Sequence, residues 1–327
     1  MGKISGSKSI AKAGVMASVL EICGWPKPGN VHRTSDLEGP NFARFICGSV
    51  ALHDSLYLAS LRGNRIGKKR IPASSLKIGS LIKYAYAEGD SWHKGGNTNL
   101  GSALLMIPLA AASGTVLSKH GKMDINMIRN ETIKIIKSTT SEDAIVFYKL
   151  AAKMQKAWLG RVSLENGPPD VFDPDALKKI RKHGYTFYDS MRASSKWDLV
   201  ASEISSGMKL TFELVYPKLM KIHRETDNIN VATVNTFLEV LSTVPDTFII
   251  RKLQSLGKKN PKIRASQISE KARRALELGG ASTEKGVNAL ISLDKEVSGY
   301  GGALNPGSSA DLTAAGLMLL LLSGVQI

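Results

Sequence analysis

Three short polar segments interrupt a chain that is otherwise rich in apolar, helix-forming sequence, and they hold the side chains best suited to chemistry. The first, residues 27–33, supplies Lys27, His32 and Arg33, whose cationic groups are suited to binding phosphate. Asp36 follows this segment and can hold a divalent ion or accept a proton. A Pro-Gly turn with flanking charges is also typical of an ordinary surface loop, so this segment needs support from the others.

The second segment, residues 95–101, contains a glycine pair that permits close approach of the backbone to a ligand. Asn97 and Asn99 offer paired donors and acceptors that suit a ribose edge or a base. Thr98 or Asn99 is equally suited to capping the helix that follows. That helix is so apolar that its first turn should be buried, and buried amide groups need hydrogen-bond partners.

The third segment, residues 304–311, places Ser308 and Ser309 just before the last predicted helix and Asp311 within its first turn. The free N–H groups and the positive dipole end of a helix N-terminus attract phosphate. The alternative is an ordinary serine cap followed by an acidic residue that the helix dipole favours.

The elements that must position these segments are helices. Apolar residues recur at helical spacing along most of the chain, and patterns of alternating strand residues between tight turns are poor. We therefore predict an all-α fold, a single domain over residues 1–327 with about ten or more helices and a loop at 166–175 inside it. The predicted helices occupy residues 7–23, 42–62, 76–88, 100–112, 139–157, 175–183, 197–216, 231–241, 266–278, 283–297 and 309–322.

The net charge of +16, from 44 basic and 28 acidic residues, indicates an anionic partner: nucleic acid, a membrane surface or a polyphosphate. Only 6% of the residues are aromatic, which argues against a protein that stacks bases on exposed rings, and no helix-turn-helix spacing is visible. The phosphate-binding loop of nucleoside triphosphatases, the dinucleotide fingerprint and the His-Glu-x-x-His zinc motif are all lacking.

The two cysteines, Cys23 and Cys47, exclude a disulfide framework and a four-cysteine zinc site, and their apolar neighbours predict buried, reduced thiols. No secretory signal pattern is visible at the N-terminus. The longest apolar run, residues 312–325, is shorter than the roughly 18 residues of a membrane span. These features predict a cytoplasmic protein that does not enter a membrane.

Four motifs in order resemble the triphosphoribosyl-dephospho-CoA synthase family. The first three motifs lie in the polar segments and are residues 27–29 with the valine and arginine that follow, residues 96–98 with a later glycine, and residues 306–312. The fourth motif is residues 244–247 with Arg251. Any one of these motifs is weak evidence, but the four together cover nearly the whole chain, from about residue 10 to 322.

The resemblance implies an enzyme that moves the 5-triphosphoribosyl group of ATP to an acceptor hydroxyl and releases adenine. Breaking the N-glycosidic bond of ATP builds oxocarbenium character on the ribose, which needs nearby negative charge, a base for the acceptor and cations for the triphosphate, with Mg²⁺ expected. The residues predicted to bind ATP are Lys27, Gly29, His32, Arg33, Asn97, Thr98, Asn99, Arg251, Ser308 and Ser309. The residues predicted to share the metal and general-base roles are Asp36, Asp246 and Asp311.

Two departures from the citrate-lyase-associated members indicate an archaeal-like branch. His32 stands where those members have aspartate, and Asn99-Leu100 stand where they have histidine and lysine. The acceptor implied by the family is dephospho-CoA, and the alternative is a precursor of a tetrahydromethanopterin-type cofactor. A basic nucleic-acid-binding helical protein is the rival from another class, although nucleic acid is not the expected partner. A homo-oligomer is a further possibility that the sequence leaves open.

Overall fold

The computed structural model describes residues 4–36, 41–93, 96–154 and 167–327, and within these ranges it contains helices and no strand. This confirms the predicted all-α fold. Gly95 of the second polar segment lies outside the described residues. The α-helices are α1 Ser7–Cys23, α2 Phe42–Ala51, α3 His53–Gly67, α4 Ile78–Trp92, α5 Leu100–His120, α6 Ile125–Lys137, α7 Ser141–Met154, α8 Ala176–His183, α9 Phe187–Ser194, α10 Leu199–Ser206, α11 Tyr216–Thr226, α12 Ile229–Thr243, α13 Thr247–Ser255, α14 Pro261–Glu277, α15 Glu284–Ser298 and α16 Gly307–Leu322.

Two apolar helices, α5 and α16, form the centre of the main core, since nearly every residue of both is buried. Helices α1 and α3 pack against them. The crossing of α3 with α5 is close, because a Cβ on Gly63 would lie 1.9 Å from the carbonyl oxygen of Ala111. Helix α5 is long and apolar enough to cross a membrane, but 89% of its most apolar window is buried inside the fold, as in the core helix of a globular protein.

A second, smaller core lies between helices α12 to α15 and is built around side chains such as Phe237, Leu253 and Leu290. Helix α12 belongs to both cores, because Val231 and Val240 pack into the main one. This shared helix ties α13, which carries the fourth motif, to the central helices.

Two predicted helices are broken in the structure. The segment predicted over residues 42–62 divides at Leu52 into α2 and α3. The segment predicted over residues 197–216 is interrupted at Gly207 and Met208, which adopt φ values of 72° and 60°, and helix resumes after them. A Gly-terminated helix is expected physically, because glycine enters the left-handed region without the usual Cβ penalty.

Four helices were missed. Helices α6, α9 and α13 begin at an Asp or Thr cap that the apolar pattern does not mark. Helix α11 overlaps the predicted ranges only at Tyr216. The predicted capping box is shifted by one residue, because the reciprocal hydrogen bonds join Thr140 and Asp143. The predicted burial of both thiols is wrong, since Cys47 is exposed and Cys23 is only partly buried.

Candidate active site

A cavity of about 510 Å³ opens where the N-termini of α5 and α16 meet. Cavities of about 300–1,000 Å³ are typical of small-molecule sites. The second and third polar segments both line it, as do residues of α7, α9, α10 and α13. The residues that precede two buried central helices are therefore brought to one place, and the positive dipole ends of both helices lie at its wall.

Asp311, the last residue of the third segment, contacts the start of α5 next to the second segment. Its Oδ1 accepts a 2.7 Å hydrogen bond from the hydroxyl of Ser102 in α5. A Cβ on Gly101 would lie 1.9 Å from Oδ2 of Asp311, so glycine is required for α5 to approach this carboxylate. Burial, together with the nearby charges of Glu21 and other carboxylates, raises the pKa of Asp311 to about 7.

The second segment is held by a set of hydrogen bonds around the start of α5. Asn97 caps the helix, its Oδ1 accepting the first helical N–H at 2.8 Å. The Thr98 hydroxyl lies 3.3 Å from Nε2 of His93, and Asn99 Nδ2 donates to the Ser49 hydroxyl at 3.3 Å. All three predicted residues line the cavity. The capping alternative also holds in part: Asn99 is the N-cap residue of α5, but the side chain that accepts a first-turn N–H is that of Asn97.

The fourth motif contributes the cationic wall. Arg251 lines the cavity and pairs with Asp198, with 3.0 Å between Nη2 and Oδ2. Lys252 also lines the cavity and donates to a backbone carbonyl of the loop before α16. The two cations lie 5.8 and 5.7 Å from the ring centroid of Phe248, a distance typical of cation–π contacts.

Asp246 is fully buried and does not line the cavity. Its Oδ1 caps α13 by accepting from the backbone of Phe248 at 2.8 Å. Its Oδ2 accepts both the N–H and the hydroxyl of Ser309, at 2.7 and 2.8 Å. The carboxylate thus joins the N-termini of α13 and α16, and the donors of Ser309 predicted to bind phosphate are taken by it. Ser308, by contrast, lines the cavity.

The first segment lies mostly outside the cavity. Asp294 of α15 accepts the N–H of Gly29 at 2.9 Å and contacts Nε2 of His32 at 3.3 Å. The guanidinium of Arg33 is exposed and lies 5.6 Å from the ring centroid of Trp25. Asp36 is exposed and accepts the backbone N–H at the start of α2 at 2.6 Å. None of these four predicted residues lines the cavity.

Lys27 is fully buried and does not reach the cavity surface. Its Nζ donates to the carboxylate of Glu21 and, at 2.7 Å, to the Glu21 carbonyl oxygen. The ammonium also lies 5.7 Å from the ring centroid of Phe237. Burial lowers the pKa of Lys27 and raises that of Glu21, while each charge favours the charged form of the other.

The family model for ATP:dephospho-CoA triphosphoribosyl transferase matches residues 7–326. The chain belongs to this family. A crystal structure from Archaeoglobus fulgidus, described as a triphosphoribosyl-dephospho-CoA synthase, shares the fold with a TM-score of 0.59 and 21% identity. The match covers 85% of this chain and 100% of that one. Among curated proteins, none matches the chain significantly.

Membership in the triphosphoribosyl transferase family makes the chain an enzyme of the transferase class that acts on ATP and dephospho-CoA. It agrees with the resemblance carried by the four motifs. It also explains the high positive charge through a polyphosphate substrate, one of the three partners that the charge allowed.

Several residues of this transferase cavity were missed by sequence reasoning. Glu21 lies inside α1, where the sequence indicates an ordinary helical residue. Asp198 precedes α10, where the sequence indicates a helix cap. Asn30 donates to Asn305 at 3.0 Å, and this pair joins the loop after α1 to the loop before α16. The one available signal was the adjacency of Asn30 and Asn305 to the first and third motifs.

Another part of the lining of the transferase cavity is largely apolar. It is formed by side chains of α7, α9 and the loop before α8, which are Phe147, Tyr148, Ala151, Pro168, Pro169, Val171 and Met191. The predicted loop at 166–175, described from residue 167, thus contributes to the site. A cavity lined partly by polar and partly by apolar side chains suits a substrate that carries phosphates together with a ring or an aliphatic arm.

Proposed function

We propose that the cavity binds ATP and dephospho-CoA together and transfers the 5-triphosphoribosyl group to a hydroxyl of dephospho-CoA, releasing adenine. The observation that supports this most is the position of Asp311. It is a carboxylate at the meeting point of two helix N-termini, within the cavity and with a pKa of about 7. An acid–base group is most effective when its pKa lies near the working pH.

In the proposed reaction the bond between the anomeric carbon and the adenine nitrogen breaks. Adenine leaves with the electron pair and takes up one proton from water, which balances the proton that the acceptor hydroxyl gives up. The acceptor oxygen forms the new bond to the same carbon and gives its proton to Asp311. The Ser102 hydroxyl, 2.7 Å from Asp311, holds the carboxylate in a fixed orientation while this proton moves. Positioning of this kind favours the reacting geometry over the many others available in water.

Cations and helix ends supply the triphosphate site in this proposal. Arg251 and Lys252 line the cavity on the side of α13. Ser308 lies at the start of α16, where the positive end of the helix dipole attracts phosphate. Asn97 and Asn99 would face the ribose or the adenine from the start of α5. The apolar wall would then hold the arm of dephospho-CoA.

Mg²⁺ fits this donor set as a companion of the triphosphate rather than as a resident of a protein cage. In the part of the chain that the structure describes, no three His, Cys, Asp or Glu side chains group as metal ligands. Mg²⁺ in phosphoryl sites usually keeps several waters and takes one or two carboxylates beside the phosphates. Asp170 and Asp198, which line the cavity, would be those carboxylates, and the ion would neutralise phosphate charge.

The experiment is incubation of the purified protein with ATP, Mg²⁺ and dephospho-CoA, with adenine followed by chromatography and the product by mass. Adenine release in step with a dephospho-CoA adduct bearing the triphosphoribosyl group is the expected result. A parallel incubation with a tetrahydromethanopterin precursor tests the other acceptor. Turnover on that precursor alone would show that only the donor half of the proposal is right.

A further inference from the structure

Two buried charged side chains, Glu21 and Lys27, are not used by the reaction as proposed so far. Glu21 is 6% exposed, and the exposed part faces the cavity. Lys27 is fully enclosed behind it. A fully buried ammonium is costly unless it is paired, so its position calls for a reason.

The geometry directs Lys27 at Glu21 and away from any phosphate. Its Nζ donates to the carboxylate and to the carbonyl oxygen of the same residue. The ring of Phe237 covers another side of the ammonium. With these contacts filled and no surface in the cavity, Lys27 acts on a substrate only through Glu21.

Glu21 and Asp311 are two carboxylates on the same cavity with different partners. Glu21 contacts a buried cation, whereas Asp311 accepts from a neutral hydroxyl, that of Ser102. The charge of Glu21 is one of the influences that raise the pKa of Asp311. Carboxylates whose surroundings separate their proton affinities take different roles in catalysis.

We propose that Glu21, kept ionised by Lys27, is a catalytic residue that stabilises the positive charge developing on the ribose of ATP as adenine departs, and that Lys27 is its positioning residue. Glu21 forms and breaks no bond in this role, and the acceptor proton still goes to Asp311. The inference rests on the proposed triphosphoribosyl transfer, because only a reaction at the anomeric carbon builds this charge.

Among the described residues, the titratable groups that act electrostatically on this pair include Cys23 on α1 and Asp311 on α16. Phe237 of α12 contributes a ring and no ionisable group. Burial favours the protonated form of Glu21 and Lys27 opposes it, so removing that cation should let the buried carboxyl take up a proton.

The first test is Glu21→Gln, which keeps the shape and removes the charge. Loss of a preorganised electrostatic contact should lower kcat for adenine release by about 10²–10³-fold and leave KM for ATP nearly unchanged. Glu131→Gln is the matched control, because Glu131 also pairs with lysines, Lys119 and Lys134, outside the cavity. It should keep the wild-type rate.

The second test uses Lys27→Met and the double variant Glu21→Gln/Lys27→Met. Lys27→Met should lower kcat at neutral pH and regain it at higher pH than the wild type requires, as Glu21 ionises. The double variant should be no slower than Glu21→Gln alone, because both changes remove one effect. A raised KM for ATP in Lys27→Met, with additive losses in the double variant, would make Lys27 a phosphate ligand and overturn the inference.

Either single variant leaves one buried charge without its partner, so the double variant also secures the test against misfolding. Replacing both members of a buried pair by neutral side chains is often well tolerated. If only the double variant folds, it should bind ATP and release adenine about 10²–10³-fold more slowly, and a wild-type rate would overturn the inference.

Infrared difference spectra between the wild type and Glu21→Gln provide a readout independent of turnover. Loss of an ionised carboxylate band is expected, and loss of a protonated carboxyl band would overturn the inference. A wild type that releases no adenine would contradict the proposed function. An active wild type with an equally active Glu21→Gln would contradict this inference alone.

Discussion

The hydroxyl of Ser102 donates to Oδ1 of Asp311 at 2.7 Å, although the two residues lie 209 positions apart in the chain. Ser102 lies in the first turn of α5, and Asp311 lies just after the first turn of α16, which begins at Gly307, two residues earlier than predicted. The core that packs these helices therefore also sets the position of the carboxylate. The site of this triphosphoribosyl transferase family member is as rigid as the core beneath it.

Asp311→Asn should abolish most of the activity without unfolding the protein. A general base contributes about 10²–10⁴-fold to a rate, and Asn cannot take a proton. The amide still fills the space of the carboxylate beside Ser102, so the melting temperature should change little. Steady-state adenine release and thermal melting, measured on the same preparation, check both parts.

The control for this change is Asp124→Asn. Asp124 caps α6 by accepting the N–H of Met127 at 2.9 Å and does not line the cavity. Asparagine caps helices about as well as aspartate, so rate and stability should both persist. An Asp311→Asn variant with a normal rate and a lowered melting temperature would indicate a capping role only.

Activity should rise with pH through about 7, the value to which burial raises the pKa of Asp311. Below that pH the carboxyl is protonated and cannot act as a base. In kcat/KM against pH, the wild type should increase up to about 7 and then level off, while Asp311→Asn should lose this step. A profile of unchanged shape in the variant would assign the titration to another group.

The same pKa predicts a dependence of stability on pH. The folded pKa of Asp311 lies above its ordinary value of 3.8, so the folded protein binds more protons than the unfolded chain between these values. The contribution of this group is fully present below about 4 and is lost as the pH rises through about 7. Urea unfolding across this window should show a smaller decline for Asp311→Asn than for the wild type.

Gly101→Ala should impair catalysis through sterics. Its Cβ would lie 1.9 Å from Oδ2 of Asp311, which no real contact allows, so the carboxylate must turn away. We expect kcat to fall by at least about 10²-fold, since displacement by about 1 Å can cost that much. Gly299→Ala is the control, because its Cβ meets only one atom within 4 Å, at 3.8 Å.

Asp246→Ala should destabilise the protein substantially. The substitution removes a helix cap worth roughly 0.5–2 kcal/mol and leaves buried donors of Ser309 unpaired, at roughly 1–3 kcal/mol. Denaturant unfolding should show a loss of about 1.5–5 kcal/mol by the sum of these terms. The Mg²⁺ concentration for half-maximal rate should stay unchanged, and a large increase would restore Asp246 as a metal ligand.

The fold was predictable because apolar residues recur at helical spacing, which reports burial directly. The meeting of the second and third segments followed from the same pattern, since helices apolar on all sides share the centre of a core. Asn97, Ser308 and Asp311 all reach the cavity for this reason. Their chemical roles remain predictions.

The partners of the other polar residues were not predictable, because they depend on which helix ends meet. Asp246 and Ser309 are 63 residues apart, and only the packing of α13 on α16 makes them a pair. Lys27 follows a turn at Pro26 and donates to Glu21. A residue that the sequence predicts to bind phosphate is therefore a buried counterion of a carboxylate. Asp36 is used instead as a cap on the local backbone.

Arg251→Gln should weaken binding of the triphosphate. The guanidinium lines the cavity and is held by Asp198 at 3.0 Å, so it is presented in a fixed orientation at the proposed phosphate site. A hydrogen bond to a charged group is worth about 1.5–3 kcal/mol, which predicts a Kd about 10–100-fold higher. Calorimetric titration with inorganic tripolyphosphate and Mg²⁺ measures this change in Kd without turnover.

The control is Arg274→Gln. Arg274 is an exposed arginine paired with Glu270, and this variant should bind tripolyphosphate as the wild type does. Equal weakening in both variants would indicate a general effect of net charge, whereas loss confined to Arg251→Gln would place the phosphates beside α13.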